Sequence, residues 1–407
     1  MLFGSRWSGL LIFTIFSVVT LYVIIGHLKK VFALTQEACD FYERRWINNA
    51  FPPSTRSEWV TLGDVKTHYL ILPRKDPSQK GRAKIASPAM VLLHGTGSAS
   101  SLAWSSSAGL FSKRYFLCMP DLPGFGRSTF PRNKLQEASL AEIEDFYADW
   151  LAAYIDAMQL QKPVVVAHSM GAFFAINFMK IYPDKLSRIV LVDPAGIFPT
   201  LGSHGYYFAW LFSVGIPTRQ LRVVGWIASA LLHFIYHDKK NAHVIKAHFW
   251  VQLQASPSAF GDRVVAKFIT FNFNKEGTFS FSNRPAILDV LTAGVPVAFV
   301  YGAVDTVMPP RQGEVTAELM RCNSTKGTIV NLVPGAWHMP FHVDSGIPFV
   351  DQTLRAIDVA CVPRPTRVLT DALHKMDAQR YRSTWSSQAT AQVIESLYKK
   401  LDYYNGP

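Results

Sequence analysis

The sequence predicts an α/β fold, a mostly parallel sheet covered by helices on both faces. Three observations carry this. Short, nearly unbroken apolar runs at 89–93, 115–119, 164–167, 188–192, 295–301 and 328–333 read as strands buried on both sides. Helical patterns at 140–160 and 169–182 fall between them, so strand and helix alternate. One apolar run leads directly into a serine flanked by small residues, Ala167-His168-Ser169-Met170-Gly171.

Before the first strand, residues 9–26 read GLLIFTIFSVVTLYVIIG without a charge. Extended to 7–28, they would form a helix of roughly 33 Å, enough for a bilayer core of about 30 Å. Arg6 precedes this run, and Lys29 and Lys30 close it. Lysines where a signal peptide has its neutral region favour a single-pass anchor over a cleaved leader. The positive flank points the rest of the chain toward the cytoplasm. A charged linker follows, over 29–57. Residues 65–72 then alternate like an early strand, and 58–196 is expected to hold the first part of the core. The stretch 197–288 breaks the alternation. It is helical and aromatic, with the size of a lid inserted between two strands. The core resumes over 289–362, and 363–407 reads as a tail of polar helices.

Composition narrows the classes. The net charge of +12 is scattered, with no long Lys/Arg block or nucleic-acid signature, so an anionic membrane surface is the expected partner. Cys39, Cys118, Cys322 and Cys361 show no metal spacing and do not make a disulfide framework in 407 residues, which fits a reducing compartment. His233, His237, His243 and His248 read as polar punctuation of helices, and no metal or organic cofactor is expected. Asn323-Ser324-Thr325 is a glycosylation sequon that only a lumenal domain would use.

The chemistry centres on Ser169. A strand, sharp turn and helix around a serine form a nucleophile elbow, where the strained turn exposes the hydroxyl above the sheet. Close packing of that turn demands small residues on either side, here Ala167 and Gly171. A serine hydroxyl needs a base, and the base needs an acid to hold its tautomer. Asp305 follows the 295–301 run after Gly302 and is the expected acid. Asp193, at the end of the 188–192 run, is its rival, and Asp121 stands in the wrong chain order. His338 follows Pro334-Gly335 beyond the last strand and is the expected base, with His342 as rival; His168 is read as structural. An oxyanion formed at a carbonyl needs two backbone N–H donors. Met170 and Thr96, the latter in His94-Gly95-Thr96-Gly97, are the candidates.

Together, H-G-T-G (94–97), D-L-P-G-F-G-R-S (121–128), A-H-S-M-G (167–171), D-P-A-G (193–196), Y-G-A-V-D (301–305) and P-G-A-W-H (334–338) resemble the α/β-hydrolase superfamily over about 58–360. The N-terminal anchor and D-P-A-G further resemble membrane-anchored acylglycerol lipases and lysophospholipid-acting hydrolases. The resemblance implies a serine esterase acting through Ser169, His338 and Asp305. Two departures stand out. Ala167 replaces the first elbow glycine. Acyltransferase-like relatives carry H-x-x-x-x-D at the histidine, whereas His338 to Asp344 is one residue longer. The apolar stretches 205–212 and 223–232 are too short to span a bilayer, and could line an acyl pocket or pack as ordinary buried helices. A lipid ester is the expected substrate. A peptidase, amidase or acyltransferase on the same triad is the alternative within enzymes, and a lipid-bound scaffold is the alternative outside them. An epoxide hydrolase or dehalogenase would carry an aspartate at position 169.

Overall fold

The computed structural model describes residues 36–74, 88–95, 98–131, 138–197, 286–322 and 327–365. The expected anchor (7–28), the greater part of the lid (198–285), the tail beyond residue 365 and the sequon lie outside them. Among the described residues no helix is long and apolar enough to cross a membrane.

Eight strands form one sheet: β1 (Arg56–Leu62), β2 (Val65–Leu72), β3 (Ala89–Leu93), β4 (Phe116–Pro120), β5 (Val164–His168), β6 (Arg188–Val192), β7 (Val297–Gly302) and β8 (Val330–Val333). Their spatial order is β1-β2-β4-β3-β5-β6-β7-β8. β1 and β2 pair antiparallel with each other, β2 pairs antiparallel with β4, and every pairing from β4 to β8 is parallel. Unbroken apolar strands need cover on both faces, and β3, β4, β5 and β7 are buried at every residue. β1 is the most exposed of the strands, an edge strand with alternating exposure.

Among the described residues the longer covering helices are α1 (Gln36–Ala50), α2 (Leu140–Ala157), α3 (Met170–Ile181), α4 (Pro310–Met320) and α5 (Ile347–Val359). Ser139 starts α2 with a reciprocal capping box. Its hydroxyl accepts from the Glu142 N–H, and the Glu142 carboxylate accepts from the Ser139 N–H. α2 packs on α3 through Tyr147 and Phe174, whose rings stack with centroids 3.7 Å apart. Truncating a buried Phe of this kind typically costs about 3–5 kcal/mol.

Two expectations need correction. The charged linker contains α1, an ordered helix. Glu43, Ile47 and Phe51 recur every four residues on one buried face, and the Trp46 indole N–H donates to the Ser101 carbonyl at 2.9 Å. Charge on the outer face masked this stripe in the sequence. The cysteines also pair: Cys322, just beyond α4, is bridged to Cys361, just beyond α5. A spacing of 39 residues has no motif, and only the fold brings the two together. The bond is at odds with a reducing compartment, where structural disulfides are rare.

The chain leaves the sheet after β6 at Gly196 and is back beside it at Ala286, whose N–H donates to the Gly196 carbonyl at 2.8 Å. The two described ends of this stretch therefore meet at one point, between β6 and β7.

Candidate functional site

The site is built at the carboxyl ends of four adjacent strands. Parallel registers align those ends: His168 with Val192, Val192 with Val300, and Gly302 with Val333. Loops leaving β5, β6, β7 and β8 therefore emerge side by side, carrying Ser169, Asp193, Asp305 and His338.

Ser169 joins β5 to α3 with φ 51° and ψ −119°. A non-glycine residue there is strained, at a cost of about 1–3 kcal/mol that the surroundings must hold. Its own backbone is tied down on both sides: the Ser169 N–H donates to Val192 O at 2.9 Å, and Ser169 O accepts from Ala172 and Ala195. A Cβ on Gly171 would collide with the His94 carbonyl oxygen, so glycine is required at that place. Ala167 is fully buried and keeps an ordinary φ, which explains how alanine replaces the first elbow glycine.

Three expected residues meet. The Ser169 hydroxyl donates to His338 Nε2 at 3.0 Å, and His338 Nδ1–H donates to Asp305 Oδ2 at 2.8 Å. Asp305 Oδ1 also accepts from the Val307 and Met308 N–H groups, at 2.7 and 3.1 Å. The carboxylate is thus gripped by three N–H donors. Gly302 makes the convergence possible, because a Cβ there would strike the carbonyl oxygen of Trp337, next to His338.

Met170 opens α3, where backbone N–H groups are not spent on the helix's own ladder and the helix dipole favours negative charge. Thr96 lies outside the described residues. His342 is buried and makes no hydrogen bond to Ser169; its neighbour Phe341 does the packing. The Phe341 ring lies against Trp104, Phe349 and His168, fixing the loop that carries His338.

Two residues do more than the sequence disclosed. His168 Nε2–H donates to the His338 carbonyl at 2.7 Å, a tie across the site between β5 and the histidine loop. Burial, reinforced by the charge of His338, holds its imidazole well below the usual histidine range, so it is neutral. Asp193 makes no hydrogen bond to His338 among the described residues. It accepts from the Gly302 N–H at 2.9 Å and lies against Asp305. Neither contact is visible from sequence spacing, since each depends on neighbouring strand ends. Asp121 is also elsewhere, bonded to His68 at 2.7 Å.

His168, Asp193 and His338 each bring one possible metal-ligand atom within 4.8 Å of the others. Both His338 nitrogens are already engaged, with Asp305 and Ser169. A metal held by His338 at this place would have to break one of those bonds.

The comparisons agree with this architecture. Residues 88–345 match the family model described as alpha/beta hydrolase fold. The chain is 25% identical over 325 residues to an uncharacterised protein of Mycobacterium tuberculosis, covering 76% of this chain and 87% of that one. It is 25% identical over 236 residues to 1-acylglycerol-3-phosphate O-acyltransferase ABHD5 of Sus scrofa, covering 53% of this chain and 63% of that one. Among solved structures, carboxylesterase CesB of Bacillus subtilis superimposes with a TM-score of 0.57 at 16% identity, covering 79% of this chain and 98% of that one. A bacterial membrane phospholipase A gives 0.56 at 19% identity, covering 87% and 97%. With more than half its length matched by the model, and a strained serine elbow at the carboxyl edge of its parallel sheet, this chain belongs to the α/β-hydrolase fold family.

Proposed function

We propose that this protein is a serine hydrolase that cleaves a carboxylic ester of a lipid, of the monoacylglycerol or lysophospholipid type. The observation that carries the proposal is the hydrogen-bonded chain from Ser169 through His338 to Asp305, mounted on a strained elbow.

The chemistry follows from that chain. His338 Nε2 takes the Ser169 proton as Oγ attacks the ester carbonyl carbon. The π electrons move to the carbonyl oxygen, giving a tetrahedral oxyanion. The N–H of Met170, and that of Thr96, supply the donors it needs; losing one such donor typically costs about 100- to 1,000-fold. The imidazolium is stabilised by Asp305, then gives its proton to the departing alcohol as the C–O bond breaks. Water repeats the sequence on the acyl-enzyme and releases the fatty acid.

A lipid substrate is supported by the apolar composition of 205–212 and 223–232 and by the uncharged run 9–26, which would hold the domain against a bilayer. The Cys322–Cys361 bridge favours a lumenal or outward-facing domain over the cytoplasmic one that the positive flank suggests. Acyl transfer is the second reading, because one relative bears an acyltransferase name. The longer His338–Asp344 spacing weighs against it.

A fluorophosphonate probe tests the assignment. Wild type is labelled, and Ser169→Ala is not, while its circular dichroism is unchanged. Equal labelling of the two proteins rejects the nucleophile. Turnover of monoacylglycerol, lysophospholipid and an aminoacyl amide by detergent-solubilised wild type then ranks the substrate classes. Failure on all three and on short-chain nitrophenyl esters would favour the scaffold.

A further inference from the structure

A carboxyl group that the mechanism above does not use sits under the site. Asp193 is fully buried at the end of β6, next in the sheet to the strand carrying Asp305. Two carboxylates in contact inside a protein repel strongly, so such a pair keeps one proton between them. Their hydrogen-bond partners say which one keeps it. Asp305 collects three N–H donors, from Val307, Met308 and His338. Asp193 collects one, from Gly302, on Oδ1. Its Oδ2 is buried and has no donor among the described residues. An anionic oxygen left bare beside another carboxylate is the worst arrangement available; an O–H shared with the neighbouring Asp305 is the best.

We propose that Asp193 is a positioning residue that keeps its proton at neutral pH and donates it in a hydrogen bond to Asp305, steadying the carboxylate that orients His338. Asp305 thereby gains a fourth donor without a second negative charge beside it. The proposal rests on the serine-hydrolase reading. The other groups around Asp193 fit a neutral acid. His168 of β5 is uncharged, Tyr301 of β7 is buried with its phenol pushed well above the usual range, and His338 stands across from it. Burial first, then the charge and hydrogen bond of Asp305, push the Asp193 carboxyl well above the ordinary range, against the smaller pull of the Gly302 N–H. Asp193 also holds φ 39°, a conformation asparagine accepts as readily as aspartate.

Asparagine therefore provides the decisive variant. Its carbonyl oxygen can accept from Gly302 while its amide donates to Asp305, reproducing the neutral acid. Asp193→Asn is expected to keep kcat and KM within about threefold of wild type on a nitrophenyl ester. Asp193→Ala loses the donor, and kcat is expected to fall about 10- to 100-fold with KM little changed, the size of effect that loss of an outer-shell hydrogen-bond partner has at metal sites. An inactive Asn variant would show that position 193 must carry charge, and an Ala variant as active as wild type would show that it positions nothing; either overturns the proposal. Infrared difference spectra of wild type minus Asp193→Asn at pH 7 give a readout that needs no turnover. The carbonyl stretch of a protonated carboxyl is expected to be lost in the variant, and its persistence also overturns the proposal. If wild type itself escapes the fluorophosphonate probe, it is the serine-hydrolase reading that has failed, and the infrared result still decides where the proton lies.

Discussion

Ser57, His68 and Asp121 are bonded to one another in the same order as Ser169, His338 and Asp305. The Ser57 hydroxyl donates to His68 Nε2 at 2.8 Å, and His68 Nδ1–H donates to Asp121 Oδ2 at 2.7 Å. The distances at the elbow are 3.0 and 2.8 Å. Bond lengths cannot tell the two apart, but their settings can. Ser57 lies in the regular antiparallel edge strand β1, opposite Leu70, with its backbone in the ladder and no helix starting behind it. Ser169 is the strained residue from which a helix N-terminus begins. Arg127 brings its guanidinium to 3.5 Å from His68 Nε2, so a cation already stands where the imidazolium would have to form. Asp121 is spent on structure: it accepts from the Ser100 and Arg127 N–H groups and so ties the 121–128 loop to the start of the Ser100–Ala103 turn. A serine–histidine–aspartate chain is therefore only a part of a catalytic site. The backbone that presents the serine, and donors for the oxyanion, make the difference.

The sharpest way to break this contrast is to remove each serine. Ser169→Ala is expected to lower kcat by about 10⁶-fold, as loss of a triad nucleophile does. Ser57→Ala should leave probe labelling and kcat within about twofold. Loss of labelling in Ser57→Ala with the fold intact would mean that the edge-strand chain takes part in the chemistry. The two aspartates should separate next. Asp305→Asn is expected to cost about 10⁴-fold in kcat through the wrong histidine tautomer. Its melting temperature should move little. Asp121→Asn disturbs a buried carboxylate that accepts from His68 and from the Ser100 and Arg127 N–H groups, and is expected to cost about 1–3 kcal/mol of stability, read by urea unfolding, with the kcat of the folded fraction nearly unchanged.

This contrast also shows what the sequence could and could not disclose. The strands β3 to β7 were legible because burial on both faces requires unbroken apolar runs, and Val164–His168 or Arg188–Val192 cannot satisfy any other pattern as well. β1 was not, because an exposed edge carries Arg56, Glu58 and Thr61 and leaves no such run. At the site, the order of serine, aspartate and histidine at strand ends was enough to select Ser169, Asp305 and His338, and the structure brings those three together. His168 and Asp193 were harder. His168 reaches the His338 carbonyl across 170 positions, and Asp193 meets Asp305 only because β6 and β7 are neighbours. Glu43 shows the same limit. It holds Ser101 at 2.7 Å and lies by the Arg127 guanidinium, joining α1 to the 121–128 loop, yet it reads in sequence as one charge among many in a linker.

The disulfide sharpens the comparison from another side. The segment it closes, from 322 to 361, carries β8, His338 and α5, whereas the His68–Asp121 chain lies outside it. A loop of this length is worth about 3–4 kcal/mol in the chain-entropy account. Cys322→Ser should therefore lower the unfolding free energy by about that amount. It should also loosen the histidine loop, reading out as faster amide exchange over 330–345 than over 116–128. Equal acceleration in both segments would show that the bridge supports the domain as a whole.

The finest distinction lies in how each chain's buried aspartate couples stability to pH. Burial alone would raise Asp121, but its electrostatic contact and hydrogen bond with His68, with smaller help from His94 and the Arg127 N–H, outweigh it and hold the carboxyl at about 2. In the unfolded chain the group titrates near 3.8. Unfolding below about pH 4 thus takes up a proton that native Asp121 refuses. Its contribution is complete above that pH and is lost as pH falls toward 2, in total about 2 kcal/mol. Asp193 has the opposite sign, because its folded carboxyl is pushed up. Above about pH 4 the unfolded chain releases a proton that native Asp193 keeps. Its contribution is complete below that pH and declines as pH rises, by at most about 1.4 kcal/mol per unit. Between pH 5 and 7, then, Asp193→Asn should gain stability relative to wild type as pH increases. Over the same range the deficit of Asp121→Asn should stay flat, shrinking only below pH 4. Urea unfolding at half-unit steps measures both. A flat difference for Asp193→Asn would mean that the proton is not held at Asp193, and the two aspartates would then differ in their partners but not in their charge.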